Sequence, residues 1–291
     1  MRNGVSEDGS FTFGGVTGQI LATASDVDGD ALTASLTSAT STLGATVTLN
    51  ADGSLLYDAT GALDHLARGE EATDTVSFTI DDGHGGTTIA TATVTVVGEN
   101  DAPDVSGPAT ANATEGAAAV SIDALANASD VDNGATLSVV DVPTGLPAGV
   151  SFNASTGQWT LDPAHAAYQA LGPGQTQTVT VNYGVSDGFA TTAASASWTI
   201  TGTNEAPVAV ADIADLAAGI HQPLSFTVPA NSFADPDGGS LSYSATLASG
   251  DPLPSWLSFN PATRAFSGTP TGADAGNLEI LVTASDGFAA A

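Results

Sequence analysis

The chain has 291 residues, enough for two or three domains, and a formal net charge of −29 from 32 acidic and only 3 basic residues. Three arginines and no lysine build no cationic patch, which excludes nucleic acid as a partner and argues against insertion in, or binding to, an anionic membrane. With no cysteine there is no disulfide framework, and the apolar 42 % sits in regular alternation rather than in a disordered pattern.

The start, Met1-Arg2-Asn3-Gly4, lacks the apolar centre of a signal peptide; if the protein is exported, its signal is expected elsewhere or was left out. No apolar run approaches the ~18 residues of a membrane-spanning helix. Self-comparison then organises everything that follows. Ala24-Ser25-Asp26-Val27-Asp28-Gly29 returns as Ala128-Ser129-Asp130-Val131-Asp132-Asn133, 104 residues later (130 − 26), and as Phe233-Ala234-Asp235-Pro236-Asp237-Gly238, 105 later (235 − 130). Asp81-Asp82-Gly83 matches Ser186-Asp187-Gly188 and Ser285-Asp286-Gly287. The links Asn100-Asp101-Ala102-Pro103 and Asn204-Glu205-Ala206-Pro207 separate three repeats, bounded as residues 1–101, 102–205 and 206–291.

Within each repeat, apolar residues alternate with Thr and Ser, the pattern of a half-buried antiparallel strand. Val76, Phe78 and Ile80 point inward in the first copy, Val181, Tyr183 and Val185 in the second, Ile280, Val282 and Ala284 in the third. Asn50-Ala51-Asp52-Gly53 reads as a hairpin loop. About seven short strands per repeat, parted by Gly, Asp and Asn turns, predict an all-β chain of tandem immunoglobulin-like sandwiches in an extended array. Single helical turns are expected at Ala62–Ala67 and Ala164–Leu171. The third copy stops before the last strand that the first two carry, so a longer natural array is expected.

The repeated carboxylates are the candidate metal ligands. Glu7, Glu70, Asn100, Asp101, Asp130, Asp132 and Asp187 are expected to meet at the first link. Glu115, Asn204, Glu205, Asp235, Asp237 and Asp286 form the second set, poorer because Gln175 stands where Glu70 stood. Asp26, Asp28 and Asp82 form an outer half-site with no preceding repeat to complete it. A cluster of this many oxygens suits calcium, which takes six to eight at ~2.3–2.6 Å, and not magnesium. Zinc and copper have no Cys or paired His to use. Asp26-Val27-Asp28-Gly29-Asp30 only superficially opens like an EF-hand loop, since Thr37 occupies the twelfth position. An isolated Asp-Gly is also an ordinary turn former, and it is the three-fold recurrence that favours metal. The four His are expected on surface loops and Trp159, Trp198 and Trp256 in cores. With no His, Cys or Lys beside the carboxylates, catalysis is not expected.

The set Ala-Ser-Asp-Val-Asp, Leu161-Asp162-Pro163-Ala164 and Asn100-Asp101-Ala102-Pro103 resembles the bacterial cadherin-like and VCBS repeats of large RTX-type surface adhesins. The third copy resembles the dystroglycan-type cadherin-like, or putative-Ig, variant through Leu253-Pro254-Ser255-Trp256-Leu257, Phe266-Ser267-Gly268-Thr269-Pro270 and Ala284-Ser285-Asp286-Gly287. The resemblance implies a calcium-rigidified extender of a secreted, cell-surface adhesin acting in biofilm or host attachment. The alternative is a calcium-dependent glycan- or protein-binding module.

Overall fold

A computed structural model describes residues 4–291; Met1–Asn3, the opening of the stretch read as lacking a signal peptide, lie outside the described residues. Among the described residues the chain is all-β apart from two short helical segments. It forms two compact units. One comprises Met1–Pro108 (described from Gly4), Ala124–Pro143 and Asn182–Ser195; the other comprises Ala109–Asp123, Thr144–Val181 and Ala196–Ala291.

In the first unit, Val5–Ser6, Thr87–Val97, Glu71–Asp81 and Thr33–Leu36 lie side by side in that order. The first pair runs parallel, Val5 opposite Val96, and the others antiparallel. A second sheet has the order Ser10–Phe13, Leu55–Asp58, Thr46–Leu49. Strand alternation drives Val76, Phe78 and Ile80 from one sheet, and Val47, Leu55 and Tyr57 from the other, into one core. A buried carboxylate, Asp74, sits at its edge and accepts the hydroxyls of Tyr57 at 2.6 Å and Thr42 at 2.8 Å, with the Leu43 N–H at 2.9 Å. The remainder of this unit pairs Asp104–Val105 with Ala128–Ser129, and Ser138–Val140 with Gly184–Ser186.

In the second unit, Ala109–Thr114 runs parallel to Ala196–Thr201 over six residues. Val120–Asp123, Gln158–Leu161 and Val150–Asn153 form a three-stranded sheet, and Trp159 and Trp198 are fully buried. Thr176–Ser186 and Thr191–Thr201 are strands of 11 residues each. Beyond residue 206 the sheets are Val208–Ala209 with Phe233–Ala234, Leu224–Thr227 with Ala265–Gly268 and Leu257–Asn260, and Ser242–Leu247 with Ile280–Ser285. The core here is small: Val228, Leu257 and Phe266 are buried, with Trp256 half-buried against them. Of the three inward positions expected in the last strand, Ala284 is buried and Val282 half-buried, but Ile280 is 38 % exposed.

The expected helical turns are not helices. Leu66 N–H donates to Leu63 C=O at 2.9 Å, Tyr168 N–H to His165 C=O at 3.0 Å and Leu171 N–H to Tyr168 C=O at 3.3 Å. These are four-residue turns closed between positions three apart, and the spacing suits the side chains: Leu63 and Leu66 reach the core three positions apart. The α-helix is instead Val16–Leu21, which buries Val16 and Ile20, four residues apart, after Gly15 at φ 66°.

Candidate metal centre

Glu7, Asp101 and Asp132 converge on one point of the first unit, each offering a carboxylate oxygen within 4.8 Å of the others'. Backbone amides aim them. Glu7 Oε1 accepts the Glu99 N–H at 2.7 Å, Asp132 Oδ2 accepts the Asp101 N–H at 3.2 Å, and Asp130 Oδ1 accepts the Asp132 N–H at 3.0 Å. One oxygen of each carboxylate is thereby engaged on Glu7, Asp130 and Asp132. The other oxygens, Glu7 Oε2, Asp130 Oδ2 and Asp132 Oδ1, are buried with no hydrogen-bond partner, and so is Asp101 Oδ2. Four buried anionic oxygens without a donor are costly unless a cation joins them. Burial, with the charges of Asp8 and Asp101, pushes the Glu7 carboxyl up to about 7. Burial likewise raises Asp101, helped by Asp8 and Asp132, and raises Asp132, helped by Asp130 and Asp187.

Around the triad, Asn100 donates to Asp187 Oδ2 at 2.9 Å while Asp187 Oδ1 accepts the N–H groups of Phe189 and Ala190, both at 2.7 Å. Against the cost of burial, these donors hold Asp187 below the ordinary carboxylate range. Glu70, also expected at this link, accepts the Ala67 N–H at 3.0 Å and the Asn133 amide at 3.1 and 3.3 Å. Asn133 N–H also donates to His65 C=O at 2.8 Å, and the Arg68 guanidinium lies over the exposed Phe189 ring at 5.0 Å. Sequence reading gave these residues no role: Asn133 stands in the repeated phrase without being acidic, and Arg68 and Phe189 lie outside it.

The second link, inside the second unit, repeats this bonding 104 to 108 residues on (203 − 99 and 115 − 7). Thr203 N–H donates to Glu115 Oε2 at 3.1 Å, Glu205 N–H to Asp237 Oδ2 at 3.1 Å, and Asp237 N–H to Asp235 Oδ1 at 2.9 Å. Glu115 Oε1, Glu205 Oε2, Asp235 Oδ2, Asp237 Oδ1 and Asp286 Oδ2 are buried and unpartnered. The adjoining Asp237 carboxylate, burial and the Glu115 charge push Glu205 up to about 7. The Ala289 and Phe288 N–H groups, both on Oδ1 at 2.7 Å, hold Asp286 low against burial. Gly98 and Gly202 occupy equivalent positions for a steric reason: a Cβ on Gly98 would collide with the carbonyls of Leu66 and Ala67, and one on Gly202 with those of Leu171 and Gly172.

Asp26, Asp28 and Asp82 are not part of either cluster. Asp26 Oδ1 accepts the N–H groups of Asp28 at 2.8 Å and Asp30 at 3.1 Å, and Asp82 Oδ1 those of His84 at 2.7 Å and Gly86 at 2.9 Å. Here the same turn closes without a buried, unpartnered oxygen among the described residues. All four His are exposed.

Residues 2–98 match the Bacterial cadherin-like domain, residues 99–201 the Cadherin-like domain and residues 206–291 the Putative Ig domain. The chain is thus similar along its length to two cadherin-like domains followed by an Ig-like one. Among solved structures, the Protocadherin gammaB7 EC3-6 cis-dimer is similar at 16 % identity and TM-score 0.50, over 92 % of this chain and 66 % of that one. Human CDH23 EC21-23 is similar at 18 % identity and TM-score 0.50, over 83 % and 76 %. The Protocadherin GammaB4 extracellular domain aligns at 18 % identity and TM-score 0.49, over 92 % and 45 %. The chain therefore spans less than two thirds of the first two protocadherin chains, 45 % and 66 %. At such identities the likeness is one of fold. No curated protein matches the chain.

Proposed function

We infer that this tandem of cadherin-like and Ig-like domains is a calcium-stiffened spacer of a secreted, RTX-type bacterial adhesin, holding a binding tip away from the cell surface in biofilm or host attachment. One observation carries the reading: each link gathers buried carboxylate oxygens that have no donor. Glu7, Asp101, Asp130 and Asp132, with Asp187 and Asn100 alongside, would hold calcium at the first; Glu115, Glu205, Asp235, Asp237 and Asp286, with Asn204, would hold it at the second. When bound, the ion supplies compensating positive charge; the chain supplies orientation through the amides of Glu99, Asp101, Thr203 and Glu205. Deprived of it, the clustered carboxylates repel and the links loosen. Extracellular calcium sites work at about 10⁻⁴–10⁻³ M, so the spacer stiffens outside a cell and slackens inside one. No catalysis is proposed, since the clusters contain acids and amides alone.

Small-angle scattering and melting curves in calcium and in EDTA test this. A longer particle with a higher Tm in calcium is expected; superimposable curves would reduce the acidic loops to turns. In that event the second reading, a module that binds a glycan or protein directly, takes precedence.

A further inference from the structure

Arg264 breaks a local rule that the other two repeats obey. It ends the hairpin turn Asn260–Arg264 at φ 58°, in the left-handed region. The matching turns are Asn50–Gly53 and Asn153–Gly157, and there the corresponding residues are Gly53 at φ 77° and Gly157 at φ 67°. A long branched-head cation at a position shaped for glycine strains the backbone. Such an exception is expected where a side chain serves something other than stability.

The surroundings indicate what that is. Arg264, Tyr243, Ser242, Leu241, Pro261 and Ala262 line an open cavity of ≈ 430 Å³. The guanidinium rests over the Tyr243 ring at 5.7 Å, and Phe233 braces that ring edge-on at 6.0 Å. In a chain with 32 acidic residues, no carboxylate lies within 4.0 Å of this guanidinium among the described residues. Its Nε is buried and meets no acceptor. Buried, that nitrogen is closed to a ligand; it is the rest of the guanidinium, held over Tyr243, without an ion pair and lining a cleft walled by Leu241, Ser242, Pro261 and Ala262, that is suited to a carboxylate. The net charge of −29 repels polyanions, which narrows the ligand to one with a single negative charge on an otherwise neutral polar body.

We propose that the Arg264–Tyr243 cleft is a binding site for a carboxylated sugar, a uronic-acid residue within an otherwise neutral saccharide, independent of the acidic links. The guanidinium takes the carboxylate, Tyr243 fixes the guanidinium plane, and Pro261 and Ala262 flank the ring.

The test uses the whole chain in EDTA, titrated with a glucuronate-containing disaccharide, its neutral carboxyl-reduced counterpart and acetate, and followed by NMR shifts of the Tyr243 ring. Saturable shifts with the uronate alone are expected, weakened about tenfold or more in Arg264→Gly. That variant restores the glycine of the other repeats, so its Tm should equal or exceed that of the parent. No saturable shift with the uronate overturns the proposal. So does equal affinity for acetate or for the neutral sugar, undiminished binding by Arg264→Gly, or a lowered Tm in that variant, which would make Arg264 a structural prop.

Discussion

Asn133 donates its side-chain amide to both oxygens of Glu70, at 3.3 and 3.1 Å, across the first link. Together with the Asn133–His65 backbone bond and the Arg68–Phe189 stack, this gives that link contacts that need no ion. At the matching positions the second link has Gln175 for Glu70, Gly238 for Asn133 and Pro173 for Arg68. The first link is therefore expected to resist protease in EDTA longer than the second. Amide relaxation at Glu99–Asp101 and Thr203–Glu205 checks it; equal mobility in EDTA contradicts it. Asn133→Gly with Arg68→Pro should erase the difference.

Removing Asp130 and Asp132 together by substitution with alanine should lower calcium affinity at the first link about tenfold or more, because two of its unpartnered oxygens disappear. The core around Phe78 and Tyr57 does not involve them, so its melting in EDTA should be unchanged. Calorimetric titration giving the parent's affinity would remove these two residues from the ligand set.

Acidity and calcium should compete. Glu7 has its carboxyl raised from 4.5 to about 7, and Glu205 likewise from 4.5 to about 7. A raised folded value means the folded chain holds the proton more tightly than the unfolded one. That stabilisation is complete below the ordinary value and lost as pH rises through about 7. In EDTA, Tm should therefore fall from about pH 5 to about pH 8; in millimolar calcium the fall should flatten or reverse, as the ion replaces the proton. A Tm rising with pH in EDTA contradicts this.

Gly98→Ala places a methyl against two carbonyl oxygens and should destabilise the first repeat by about 1–3 kcal/mol, read by chemical denaturation. Gly202→Ala should do the same to the second. Tyr57→Phe leaves Asp74 Oδ2 buried without its 2.6 Å donor and should cost about 1–3 kcal/mol.

The repeats, the strand faces and the acidic links are legible because each writes itself locally: alternation marks a strand, Asp-x-Asp marks a turn, and recurrence marks a unit. Asp26 and Asp130 share one motif and one turn, yet only Asp130 carries a buried, unpartnered oxygen. What separates them is tertiary: Glu7 and Asp101 approach from distant sequence. Asn133 and Arg68 were invisible for the same reason. The helix Val16–Leu21 was missed because its two buried positions, Val16 and Ile20, are too few to establish a period.

Parallel pairing of entry and exit strands has a mechanical consequence. Val5–Ser6 lies beside Thr87–Val97, and Ala109–Thr114 beside Thr191–Thr201. Tension drawing the two ends of a repeat apart pulls such strands along their length in opposite directions, so the ladder bonds are sheared together instead of unzipped one by one. In the second repeat six paired residues carry that load together.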